Sequence, residues 1–146
     1  MKKVIILQGN ENTGKTATLK IVIKMLLKNN AKLLVFSKNF GLWLHDYPRV
    51  GDIWAIIEYN GEFIFITTRG DYPKCIQADF DSALQITNLS LRDIDVFICA
   101  AHTDKQVEKV FNRKGLSMPN SIIINKNPSP TKANDTTDAN EVFIHI

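Results

Sequence analysis

The sequence has few cysteines, no long apolar run and little net charge. Its two cysteines, Cys75 and Cys99, belong to no cluster with metal-ligand spacing, so free thiols in a reducing compartment are the better interpretation. No apolar stretch approaches the roughly 18 residues of a membrane span. The apolar run after Met1-Lys2-Lys3 is too short for the core of a signal peptide. We therefore expect a cytoplasmic protein that does not enter a membrane.

The charge balance disfavours nucleic acid as a partner. The chain has 18 Lys and Arg against 15 Asp and Glu, a net charge of +3, and the basic residues are spread along its length. Nucleic-acid binders more often concentrate their basic residues in a stripe. With 146 residues, of which 45% are hydrophobic, the chain is long enough for a full core. We predict that residues 1–146 form one domain.

The most informative stretch runs from Val4 to Thr18. An apolar run is followed, from Gly9 to Thr16, by the pattern G-x-x-x-x-G-K-T. A loop whose N–H groups point at a phosphate needs glycines, and Gly9 and Gly14 allow positive φ and close approach of the backbone. Lys15 brings a charge to the β- and γ-phosphates, and the Thr16 hydroxyl can ligate Mg²⁺. The start of the following helix adds N–H groups and its positive dipole end.

Residues 4–18 resemble the phosphate-binding segment of P-loop nucleoside triphosphate hydrolases. The small size of the chain is similar to that of small P-loop kinases and minimal NTPases. The resemblance implies the three-layer α/β P-loop NTPase fold, Mg²⁺ dependence and binding of ATP, or of GTP. It assigns nucleotide binding to Gly9, Asn10, Glu11, Asn12, Thr13, Gly14, Lys15, Thr16 and Ala17.

A second stretch resembles a different motif and departs from it. Asn125-Lys126-Asn127-Pro128 is similar to the N-K-x-D sequence with which GTPases recognise guanine. Pro128 stands where the carboxylate that pairs with guanine should be. The chain also has no D-x-x-G element after its fourth predicted strand. The sequence therefore does not favour a Ras-like GTPase.

Hydrophobic periodicity predicts alternating strands and helices. The strands are residues 3–8, 32–37, 52–59, 62–68, 95–100 and 121–125, and the helices are about 15–29, 73–88 and 104–114. Asn60-Gly61 between two β-rich runs predicts a hairpin. We therefore expect a mostly parallel sheet with one antiparallel strand from that hairpin, and helices on both faces.

Three segments do not follow a clear period. Residues 38–52 predict a loop that either covers a sheet edge with Trp43 and Leu44 or forms a flap beside the substrate. Residues 127–140, rich in Pro, Ser, Thr, Asn and Asp, predict an exposed connector. Residues 141–146 predict a short closing strand.

Ligands of open α/β sheets gather outside the carboxyl ends of the strands, which selects candidates beside the loop. Asp71 follows the fourth strand and could position Mg²⁺ together with Thr16, or act as a base. Arg69 could offset charge on a γ-phosphate, so Lys15, Asp71 and Arg69 are the candidate catalytic residues. The alternative, weighed evenly, is that residues 69–71 form only a turn before the next helix. His102 could orient a water, although a single histidine more often makes local hydrogen bonds.

Two functions are compatible with these residues. The first is a Mg²⁺-dependent NTPase or small-molecule kinase that uses ATP. The second is a nucleotide-binding switch or accessory protein with little turnover, which the lack of a clear acidic partner for the loop favours. Both require a second substrate or a protein partner that the sequence does not identify. A degenerate structural domain is a weaker third, because the loop motif is intact.

Overall fold

The protein folds into an open sheet with helices packed on it, in a computed structural model that describes residues 1–11, 13–47, 51–69 and 72–146. The strands are β1 (Lys3–Gln8), β2 (Lys32–Phe36), β3 (Trp54–Tyr59), β4 (Glu62–Thr67), β5 (Val96–Ala101) and β6 (Ser121–Asn125). The helices are α1 (Lys15–Lys28), α2 (Phe40–Leu44), α3 (Pro73–Thr87), α4 (Asp104–Arg113) and α5 (Lys132–Ile144), with a short 3-10 turn at Leu91–Asp93.

The six strands form one mixed sheet in the order β2-β3-β4-β5-β1-β6. β1 pairs in parallel with β5 and β6, and β5 pairs in parallel with β4. β3 runs antiparallel to both of its neighbours, β2 and β4. The prediction of an α/β chain with a mostly parallel sheet and one antiparallel strand is therefore confirmed. The connection from β1 to β2 does not join neighbouring strands, since β5, β4 and β3 lie between them.

Alternate side chains of the strands build two cores, one on each face of the sheet. Ile5 and Leu7 of β1 face the core formed with α1, α2 and α5, whereas Val4 and Ile6 face the core formed with α3 and α4. All four side chains are fully buried. A strand that is covered on both faces reads as a continuous apolar run, which is the pattern seen before the loop. Helices on both faces of the sheet are thus confirmed.

The Asn60-Gly61 hairpin is confirmed in its backbone geometry. Asn60 has φ 50° and Gly61 has φ 76°, so both central residues occupy the left-handed region that a tight primed turn requires. The turn joins β3 to β4 with Tyr59 opposite Glu62. This hairpin supplies the antiparallel strand of the sheet.

The predicted connector and closing strand at the end of the chain are wrong, because the chain forms helix α5 from Lys132 to Ile144. Thr131 caps the helix by accepting the N–H of Asn134. The side chains that α5 buries are Asp135, Asp138, Ala139 and Val142. Two of these are acidic, so the helical spacing is present but does not register as a hydrophobic period.

The segment between β2 and β3 covers the core with its described part. α2 buries Phe40 and Trp43, whose side chains are 2% and 3% exposed, and the Lys20 ammonium of α1 lies 5.0 Å from the Trp43 ring. This supports the covering role for residues 38–47; residues 48–50 lie outside the described ranges. Across those ranges, no helix is long and apolar enough to cross a membrane.

Candidate functional site

The loop between β1 and α1 turns sharply where the helix begins. Gly14 is the residue before α1 and has φ 84°, in the left-handed region. Among the described residues, no side chain forms a capping hydrogen bond at this helix end, and the first helical hydrogen bond runs from the Thr18 N–H to the Gly14 carbonyl. The N–H groups of Thr16 and Ala17 belong to the first turn, where a helix offers no acceptor of its own. Both residues are exposed, so this helix end faces solvent.

The side chain of Lys15 folds back over the loop. Its Nζ donates to the Gly9 carbonyl at 2.5 Å and to the Asn10 carbonyl at 3.1 Å. The Thr13 hydroxyl donates to the same Asn10 carbonyl at 2.8 Å, and Thr13 is buried. The Lys15 ammonium thus closes a hydrogen-bonded ring with the carbonyls of Gly9 and Asn10. Lys15 is also the first residue of α1, so its positive charge lies close to the amino-terminal end of that helix.

The ends of the flanking strands are tied to the first residues of the loop. The Gly9 N–H donates to the Ala101 carbonyl of β5 at 3.1 Å. The Gln8 carbonyl accepts the N–H of Lys126, which follows β6, at 2.7 Å. The Gln8 side chain accepts the N–H of Asp104, at the start of α4, at 3.0 Å. The loop therefore starts from a position fixed on both sides, at the carboxyl ends of three parallel strands.

A buried ionic cluster lies directly against the loop. The Nζ of Lys126 is 2.8 Å from Oδ1 of Asp135 and 3.0 Å from Oδ2 of Asp138, both on α5. The Lys126 side chain has no exposed surface, and the two carboxylates are 8% and 10% exposed. Among the described residues, Asp135 Oδ1 accepts no well-directed hydrogen bond, so its contact with Lys126 is an ion pair held by proximity.

Burial and charge act in opposite directions on the pKa of Lys126. Burial lowers the pKa of the ammonium, but the close contacts and charges of Asp135 and Asp138 outweigh it, and the pKa is raised above its ordinary 10.5. Lys126 is therefore charged at neutral pH. One lysine and two aspartates give the cluster a formal charge of −1.

The cluster explains why both loop glycines lack a side chain. A Cβ at Gly14 would lie 2.6 Å from Oδ1 of Asp135, and a Cβ at Gly9 would lie 3.0 Å from the Cβ of Lys126. Only Gly14 has a positive φ, so the expectation of positive φ at Gly9 is wrong. Gly9 serves close approach to Lys126, and Gly14 serves both close approach and the left-handed turn.

The remaining predicted site residues fall in different places. Arg69 follows β4, and its guanidinium is 3.7 Å from the Asp79 carboxylate of α3, which also accepts the Thr67 hydroxyl at 2.9 Å. Burial raises the pKa of Asp79, and Thr67 and Arg69 only partly offset this. β5 separates β4 from β1, so the end of β4 lies about 10 Å from the loop strand. Asp71 and Asn12 lie outside the described residues.

Two further candidates are at the loop and at the end of β5. Glu11 is exposed in the loop. His102 follows β5, and its backbone N–H donates to the Gln106 side chain of α4 at 3.0 Å, as part of the start of that helix. Thr16, the second residue of α1, is exposed. The described part of the chain has no group of three or more His, Cys, Asp or Glu side chains that could hold a metal.

No protein-family model, curated protein or solved structure matches the chain. Its function must therefore be inferred from the site itself.

Sequence reasoning missed the acidic half of the cluster. Lys126 was noticed only as part of a GTPase-like stretch, and Asp135 and Asp138 were assigned to a connector. A signal was present: Thr131 is a good helix cap, and Asp135, Asp138, Ala139 and Val142 have helical spacing.

Proposed function

We propose that the chain binds a nucleoside triphosphate, ATP or GTP, through residues 9–17, and that its α/β sheet is a P-loop NTPase fold. The observation that carries the proposal is the ring closed by Lys15. Its ammonium contacts the first two carbonyls of the loop while its backbone begins α1. A lysine charge, a left-handed glycine turn and a helix end without a cap from the described side chains therefore meet next to the exposed residues Thr16 and Ala17. Each of them favours an anion.

Different residues of the loop would bind different groups of the ligand. The first-turn N–H groups, including those of Thr16 and Ala17, suit phosphate oxygens, and Lys15 adds a charge that can move from the loop carbonyls to a phosphate. The Thr16 hydroxyl would hold Mg²⁺, which in such sites neutralises charge on the phosphates. The buried cluster behind Gly14 leaves room for backbone only, so the loop would grip through its amides.

The position of Arg69 favours the version of this function with little turnover. Its guanidinium pairs with Asp79 on α3, two strands away from the loop strand. An arginine that offsets charge on a γ-phosphate would have to leave this carboxylate first. A nucleotide-binding switch or accessory protein, acting with a partner, needs no such group. The role of Asp71 in Mg²⁺ binding or hydrolysis stays a prediction.

Calorimetric titration with Mg²⁺-ATP and Mg²⁺-GTP tests the binding proposal. Lys15→Ala removes a charge-assisted contact of about 2–3 kcal/mol, and should weaken binding about 30- to 150-fold. Lys24→Ala is the matched control, since Lys24 is a half-exposed lysine of the same helix whose nearest carboxylate, Asp46, is 3.7 Å away. That control should bind within about two-fold of wild type. Absence of binding by the wild-type protein, or equal effects of the two variants, would refute the proposal.

Phosphate release from the same samples separates the two versions. Turnover that is lost in both Lys15→Ala and Asp71→Ala identifies an NTPase or kinase. Tight binding without turnover identifies a switch or accessory protein.

A further inference from the structure

The Lys126–Asp135–Asp138 cluster is energetically costly, and its position against the loop suggests its role. Removing three charged groups from water carries a penalty of several kcal/mol per ion, and apolar side chains of the same volume would often be as stable. The cluster also has a formal charge of −1 beside a loop that we propose binds an anion. Neither stability nor electrostatic attraction of the ligand explains it.

We propose that this cluster positions the loop, so that helix α5 sets the conformation of Gly14 and through it the affinity for the nucleotide. The inference rests on the proposed function for its ligand, but not for its structural part. Lys126, Asp135 and Asp138 are positioning residues here: they act on the ligand through the backbone of residues 9–17.

The contacts reach both ends of the loop. The Lys126 N–H holds the Gln8 carbonyl at 2.7 Å, and the Lys126 side chain packs where a Cβ of Gly9 would be. The Asp135 carboxylate packs where a Cβ of Gly14 would be. Because Lys126 and Asp135 are joined at 2.8 Å, the first and last glycines of the loop rest on one ion pair.

Asp138 fixes the other side of that pair. Its Oδ2 is 3.0 Å from the Lys126 ammonium and also accepts the Asn127 N–H at 3.0 Å. The ammonium is thus held between two carboxylates on successive positions of one helix face. The three atoms nearest to a Cβ at Gly14 all belong to the carboxyl group of Asp135, and none belongs to Asp138. Its loss should therefore loosen the loop less than the loss of Asp135.

The sign of one measurement separates positioning from simple proximity. Asp135 is an anion next to an anion site, so neutralising it should strengthen phosphate binding if its charge alone matters. If its contacts hold Gly14 and Lys126 in place, the same change should weaken binding. Asp135→Asn keeps the size and shape of the side chain and removes its charge.

The experiment compares Asp135→Asn with Glu62→Gln, which also neutralises a carboxylate of an ion pair. Glu62 pairs with Lys2 at 2.9 Å and begins β4, at the opposite end of the sheet from the loop. Affinity for Mg²⁺-ATP and the ¹⁵N order parameters of residues 14–17 without ligand are measured for each. We expect Asp135→Asn to weaken binding about tenfold and to lower the order parameters from about 0.85 toward 0.6. Glu62→Gln should change neither quantity.

Each result decides the inference. Affinity equal to or tighter than wild type in Asp135→Asn, or an unchanged loop order, overturns it. If the wild-type protein binds no nucleotide, the proposed function fails, and the order parameters alone decide whether α5 positions the loop. Should Asp135→Asn not fold, Asp138→Asn takes its place: a smaller loss of loop order supports the inference, and an unchanged loop overturns it.

Discussion

Replacing Gly14 with alanine is the most direct test of how closely α5 approaches the loop. Gly14 has φ 84°, and a Cβ there would lie 2.6 Å from Oδ1 and 3.1 Å from Oδ2 of Asp135. That carboxylate cannot swing away freely, because the Lys126 ammonium holds it at 2.8 Å in a buried site. Gly14→Ala must therefore adopt an unfavourable backbone conformation and also displace the ion pair.

The magnitude follows from adding these two effects. The left-handed conformation costs an alanine about 1–2 kcal/mol. Forcing an extra methyl group against a packed buried side chain costs about 1–3 kcal/mol more. Gly61→Ala provides the matched control: Gly61 has φ 76°, but nothing lies within 4 Å of its Cβ position. Gly61→Ala should thus lose only the first amount, and Gly14→Ala about 2–5 kcal/mol in total.

Urea unfolding followed by tryptophan fluorescence measures both variants, since Trp43 and Trp54 are both buried in the cores. We expect Gly14→Ala to lower the free energy of unfolding by at least 1 kcal/mol more than Gly61→Ala does. Equal losses in the two variants would mean that Asp135 does not lie against Gly14, and the account of the loop given above would be wrong.

Two further predictions concern α3 and α5. Burial raises the pKa of Asp79, so as pH rises above the ordinary 3.8 the unfolded chain ionises first and the folded state loses stability. Asp79→Asn should therefore be more stable than wild type at pH 7, by about 1.4 kcal/mol per unit of pKa shift, and should lose that advantage below pH 3.8. Urea titrations of both proteins at the two pH values measure this, and an equal difference in unfolding free energy at both pH values would contradict it. Thr131→Ala removes the cap of α5 and should cost about 1 kcal/mol of unfolding free energy, whereas Thr136→Ala, at an exposed α5 position, should cost less than half as much; equal losses would argue against the cap.

Much of the fold could be predicted because its signals are local. The apolar run of β1, the spacing on α1 and the Asn60-Gly61 turn each depend on neighbouring residues, and each was confirmed. Strand order could not be obtained in the same way. β2 follows β1 along the chain and runs in the same direction, but three strands lie between them in the sheet. That arrangement depends on which strands pair over long distances, which periodicity does not encode.

In the candidate site, too, the residues close together in sequence could be predicted and the long-range contacts could not. Gly9, Gly14 and Lys15 could be proposed from their spacing, because the groups that a phosphate-binding loop needs stand in one short stretch of sequence. Asp135 was missed because its role depends on a contact between α5 and a loop some 120 residues earlier in the chain. Its burial is also unusual: a carboxylate next to Pro, Ser, Thr and Asn residues normally indicates an exposed segment. The Lys126 ammonium, 2.8 Å away and distant in sequence from Gly14, offsets the cost of that burial.

The position of β1 in the sheet determines when, during synthesis, the loop after β1 gains its supporting strands. Both strands that flank β1 come from the second half of the chain, beginning at Val96 and Ser121. An amino-terminal fragment ending before residue 96 would contain every residue of the G-x-x-x-x-G-K-T motif but neither of the strands that pair with β1. During synthesis the motif leaves the ribosome first and the strands that flank β1 leave it last. The nascent chain therefore passes through a long interval in which the motif is complete but the sheet that positions it has not formed.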